Sequence, residues 1–139
     1  MIGPTRPTLT TLNDLTRRYQ DEVYTLAYYL LGDERQAVQV TQDAFIQVYR
    51  PDVLVERFRL EALRQVFACC RGQQPRAFSA TDDLFNGLVS LSREEQAAVI
   101  LVDVLGLNYD QACWVLGRNA KQILKLLAQG RLRLSEITQ

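Results

Sequence analysis

The apolar residues of this chain recur at intervals of three and four almost from end to end, and that spacing constrains the fold more than any other feature. Leu15, Tyr19, Val23, Leu26, Ala27 and Leu30 share one face of a helix read over about Leu12 to Leu31. Gly32 stops that helix. Asp33, with Gln36 three positions later, caps a second helix over about Glu34 to Tyr49. Its inner face is Ala37, Val40, Ala44, Phe45 and Val48. Pro51 ends it or opens a third helix through "DVLVERFRLEALRQVFACC".

The stretch "RGQQPRAFSATDD" breaks the rhythm and contains Gly72 and Pro75. It reads as a linker over residues 72–82, separating a three-helix half, residues 1–71, from a four-helix half, residues 83–139. In the second half Ser92 with Glu95, Asn108 with Gln111, and Asn119 with Gln122 each place a cap three residues before a side chain that can bond back. Gly106 and Gly117 fall where helix ends need a left-handed backbone. The expected class is all-α, in two small helical domains.

Two helices meet at the turn in "YDQACWVLGRNAKQILKLL", the outline of a helix-turn-helix or of a plain helical hairpin. The three-residue break and the paired caps favour the former. Ala112, Cys113 and Leu116 form its inner face, continued by Ile123, Leu127, Gly130 and Leu134. Cys113 and Gly117 are small enough to let the helices cross closely. Leu124 and Leu126 fall off that stripe, are expected at the surface, and form a candidate protein-contact patch. Trp114 fits either an interface anchor or a half-buried helix aromatic. Tyr24, Tyr28 and Tyr29 fit either base stacking or the rim of a bundle.

Charge divides by region. The chain carries 16 basic and 16 acidic residues, a neutral balance unlike that of a dedicated nucleic-acid binder. From Arg118 onward, five basic residues stand against one acid, a net of about +4. From Gln74 to Gly117, two basic residues stand against six acids, a net of about −4. With no histidine, His-based triads and His metal ligands are excluded. The three cysteines, two of them the adjacent Cys69 and Cys70, fit neither a disulfide framework nor a zinc pattern, and reduced thiols are the simplest reading. No apolar run approaches a membrane span, and "MIGPTRPTLTT" lacks the core of a signal peptide, so a cytoplasmic protein with no metal, cofactor or membrane association is expected. No phosphate loop or catalytic constellation points to an enzyme.

The stretch "LVSLSREEQAAVILVDVLGLNYDQACWVLGRNAKQILKLLAQGRLRL" resembles the promoter-binding domain of bacterial RNA polymerase sigma factors of the extracytoplasmic-function group, without a gap from Leu91 to Leu134. "YQDEVYTLAYYLLGDERQAVQVTQDAFIQVYR" is similar to that group's first domain. The resemblance implies transcription initiation with core RNA polymerase, docked on the β′ subunit through the second helix. Gln39, Thr41, Gln42, Asp43 and Phe45 are the candidate docking residues. It also implies promoter DNA as a partner, read from Arg118, Asn119, Lys121, Gln122, Lys125, Arg131 and Arg133. An anti-sigma factor, another protein or a second copy of the chain are the further partners it suggests.

The chain departs from the group at several functional positions. Val38 and Gln39 stand where two acids are usual, which weakens an electrostatic docking contact. Ala62 and Cys69 replace a tryptophan and an asparagine that hold unstacked bases, and neither replacement offers the π-face or hydrogen-bonding edges that task needs. Leu124 and Leu126 replace phosphate-binding cations. The favoured expectation is a degenerate sigma-like protein with weakened melting and DNA reading, acting partly through protein contacts. A fully functional sigma factor and a self-associating helical module without polymerase are the alternatives.

Overall fold

The computed structural model describes residues 7–71 and 91–137, and every described element is helical. The linker 72–82 and the expected first helix of the second half lie outside the described residues. Helix α1 (Leu9–Leu31) starts where the Thr8 hydroxyl accepts the Thr11 amide and ends at Gly32, whose φ of 71° only glycine adopts cheaply. Helix α2 (Glu34–Val48) starts on the Asp33 carboxylate, which accepts the Gln36 amide at 3.0 Å. The α1–α2 hairpin closes on α3 (Phe58–Cys70). All five expected inner residues of α2 are buried, as are those of α1 except Tyr19, which is half-buried.

The third helix starts later than its sequence pattern predicts. Arg50 and Val53 close turn hydrogen bonds around Pro51, and a short 3-10 turn (Val55–Arg57) leads into Phe58. Val53 is buried in that turn, so its hydrophobicity serves the loop instead of a helix face.

The second half begins with α4 (Arg93–Val99), which widens into a π segment (Ile100–Val104) where the Leu105 amide reaches the Ile100 carbonyl. Gly106, at φ 74°, then reverses the chain. Helices α5 (Tyr109–Leu116) and α6 (Ala120–Ile137) follow, α6 lying across α4. The two helices approach closely at Gly130, where an added Cβ would sit 2.8 Å from Val99 Cγ2. Gly117 plays a different part from the one its size suggests. Nothing lies within 4 Å of its missing Cβ, and its role is to take φ 66° at the end of α5.

The two halves share one continuous core, with α3 against α5 and α1 against α4. Polar groups stitch the seam. The Arg59 guanidinium forks onto Glu22, with both bonds at 2.8 Å, and reaches the Leu105 carbonyl at 3.3 Å. The half-buried Arg93 donates to the Leu30 carbonyl and to Gln96 Oε1. Arg57 and Arg64 lie 5.1 and 4.7 Å from the centre of the Trp114 ring, so the tryptophan anchors an internal interface.

Candidate functional site

Helix α2 presents two layers. Gln39, Gln42 and Asp43 are exposed, and Gln39 Nε2 donates to Asp43 Oδ1 at 3.0 Å, an i,i+4 pair that fixes a polar ridge. Thr41 and Phe45 are buried beneath it. The Thr41 hydroxyl is spent on the Ala37 carbonyl at 2.7 Å, and Phe45 stacks on Phe58 with centroids 5.9 Å apart. These two candidate docking residues therefore support the helix surface more than they form it. Beside them an open groove of about 630 Å³ runs between α1 and α2, walled by Thr16, Gln42, Phe45, Ile46 and Tyr49. The Tyr49 hydroxyl is fixed against Thr16 Oγ1 at 2.8 Å and donates to Asn13 Oδ1 at 2.9 Å. Ile46 stands 67% exposed and Val38 46% exposed on the same helix. Neither was a candidate docking residue. The signal was available, because both fall outside the inner-face positions of the helical period.

The break between α5 and α6 is Gly117, Arg118 and Asn119. Asn108 and Gln111 form the expected reciprocal capping box on α5. On α6, Gln122 Oε1 accepts the Asn119 amide at 3.0 Å and Asn119 Oδ1 accepts the Gln122 amide at 2.8 Å. Each such cap stabilises its helix by about 1 kcal/mol. Each of these oxygens thereby has one acceptor position taken by the backbone before any base edge is met.

The candidate cations of α6 separate into two groups. Arg118 forks onto Glu94, which holds its guanidinium above the usual arginine range. Arg131 forks onto Asp103 at 2.9 and 2.6 Å, with an upward shift from the same cause, hydrogen bonding to Asp103. Arg133 donates at 3.0 Å to Glu95 Oε1, a buried carboxylate that also accepts the Ser92 amide in its capping box. Lys121 and Lys125 are exposed and make no ion pair among the described residues. Glu94, Glu95 and Asp103 of the acidic region are thus the partners of Arg118, Arg133 and Arg131 of the basic one.

The candidate protein-contact pair also separates. Leu124 is 50% exposed, whereas Leu126 is half-buried and packs against the core, contrary to its expected surface position. The core stripe of α6 is wide enough to include it, as is usual for a helix lying on a globular core. Leu132, 60% exposed and two turns after Leu124, is the apolar residue the sequence reading missed. On α3, Ala62 is fully buried and Cys69 exposed. Burial pushes the neighbouring Cys70 thiol up to about 12, which keeps it protonated and inert. No group of His, Cys, Asp and Glu among the described residues is placed to hold a metal, and no described helix is long and apolar enough to cross a membrane.

No family model matches the chain. It is 28% identical over 154 aligned positions to the ECF RNA polymerase sigma factor SigE of Mycolicibacterium smegmatis, an alignment covering 89% of this chain and 60% of SigE. Its fold matches the sigma factor RpoE in the complex with the anti-sigma factor NepR from Bartonella quintana. The TM-score is 0.73 at 15% identity, covering 94% of this chain and 98% of that one. It also matches CnrH in complex with the cytosolic domain of CnrY, with a TM-score of 0.72 at 20% identity over 91% of this chain and 86% of that one. The chain spans about three fifths of the length of SigE.

Proposed function

We propose that this chain, a homologue of the extracytoplasmic-function sigma factors, is a sigma-like transcription protein that docks on core RNA polymerase through α2. In this reading it reads promoter DNA weakly and performs no catalysis. The docking surface is the ridge of Gln39, Gln42 and Asp43 together with the exposed Ile46 and the groove beside it. An apolar residue ringed by polar ones suits a helix of a protein partner, with Ile46 as its anchor. Thr41 and Phe45 contribute by holding that surface in place.

The reading of weakened DNA contact rests mainly on one observation. Three of the five cations expected to meet phosphates, Arg118, Arg131 and Arg133, are engaged with Glu94, Asp103 and Glu95. Phosphate contact by these arginines competes with an existing pair, so each adds less affinity than a free cation would. Lys121 and Lys125 supply what remains. The same helix carries Leu124 and Leu132 outward, which supports a part played through protein contacts, an anti-sigma factor being the partner seen with RpoE.

A titration of the protein against bacterial core RNA polymerase tests the proposal. Saturable binding is expected, and Ile46→Asp should weaken it at least about tenfold while leaving thermal unfolding unchanged, because the side chain is mostly solvated. Absence of binding at micromolar concentration, or full binding by the variant, would remove α2 as the docking element.

A further inference from the structure

Between α3 and the α5–α6 turn the two halves leave an open pocket of about 380 Å³. Its walls include Arg64 and Phe67 from α3, Arg71 at the helix's C-cap, and Gly117 and Arg118 from the turn. Among the described residues no carboxylate lines it. Arg64 lies over the Trp114 ring at 4.7 Å and Arg71 over the Phe67 ring at 5.0 Å. An arginine held against an aromatic face keeps the in-plane N–H fork of its guanidinium available, and that fork matches a phosphate. Among the described residues neither Arg64 nor Arg71 has an acidic partner. Arg118 adds a third guanidinium at the rim, its own charge partly met by Glu94.

This arrangement differs from ordinary surface charge in two respects. The arginines line a concavity, where low-dielectric walls focus their potential, whereas Lys121 stands on an exposed helix face. Stacking on Trp114 and Phe67 also removes much of the rotamer freedom that a ligand would otherwise have to freeze. We infer that the pocket binds a phosphate-bearing ligand of about the size of a pyrophosphate group, gripped by Arg64 and Arg71 with Arg118 at its edge. Such a ligand touches both halves at once and ties the seam between them.

Calorimetric titration of the full chain with inorganic pyrophosphate at low salt tests this. One saturable site is expected, weakened at least about tenfold by Arg71→Ala, since a fork of charge-assisted bonds is lost. Arg71 stands apart from the Trp114 contact, so the substitution leaves the seam intact. Arg71→Lys, which keeps the charge and loses the fork, should fall between the two, and Arg17→Ala, at an exposed cation outside the pocket, should bind as the parent does. Single-stranded DNA added as competitor identifies the source of the phosphate. Displacement assigns the site to a nucleic-acid backbone, and retention assigns it to a free phosphate compound. Unsaturable binding, or equal weakening by Arg17→Ala and Arg71→Ala, would overturn the inference.

Discussion

Helices α2 and α6 are both amphipathic and both expected to face a macromolecule, yet they treat their polar groups in opposite ways. On α2 the outward Gln39 and Asp43 bond to each other, and an open groove lies alongside. On α6 the Asn119 and Gln122 oxygens cap the helix, and the arginines Arg118, Arg131 and Arg133 are tied to α4 and the π segment that follows it. A charged side chain already paired within the fold gains less from a partner, because the new contact competes with the existing one. Residue type alone marks both helices as binding surfaces. The difference in commitment separates one still available from one turned inward.

The largest expected effect concerns how firmly α6 is held in that inward-facing role. Gly130→Val places a branched side chain where even a single Cβ meets Val99 Cγ2 at 2.8 Å. It should destabilise the fold by about 1–3 kcal/mol, the usual range for overpacking. Chemical denaturation measures this, and an unchanged midpoint would mean that α6 is free to shift away from α4.

A smaller effect sharpens the comparison directly. Glu94→Gln combined with Asp103→Asn releases Arg118 and Arg131 from their charge partners. Binding to duplex DNA should then strengthen, and log K should fall more steeply with log salt, by up to about 1.8 in slope for two added phosphate contacts. An unaltered slope would show that the carboxylates were not what restrains these arginines.

A third effect lies in the first half and shows only at high pH. Burial raises the Cys70 thiol from 9.0 to about 12 in the folded chain. Its contribution to stability is therefore complete below about pH 9 and is lost as pH rises toward 12. Thermal unfolding followed across that range should show a flat midpoint and then a decline, and Cys70→Ala should reduce the decline. A decline of the same size in the variant would assign it to other groups.

Much of this was legible in the sequence because it is local. The Asn108–Gln111 and Asn119–Gln122 boxes need only a spacing of three, and the left-handed turns at Gly32, Gly106 and Gly117 need only a glycine after a periodic run. The buried faces of α1 and α2 follow from the helical period. What could not be read depends on partners distant in the chain. Glu94 and Arg118 are 24 residues apart and Glu95 and Arg133 are 38 apart, so the opposite regional charges announced attraction without saying which groups meet. Gly130 reads as one more inner-face residue until Val99 is placed against it. Leu126 lies at the edge of its stripe, where only the packing of the neighbouring helix decides between solvent and core.

The clasp around Trp114 has a practical corollary. This is the chain's single tryptophan, and Arg57 and Arg64, which flank it, both come from the other half of the molecule. The native emission spectrum therefore records the seam alone, with no second indole to dilute it. Loss of the two guanidiniums would leave the ring wetter and shift its fluorescence to the red, making the separation of the halves visible without a label.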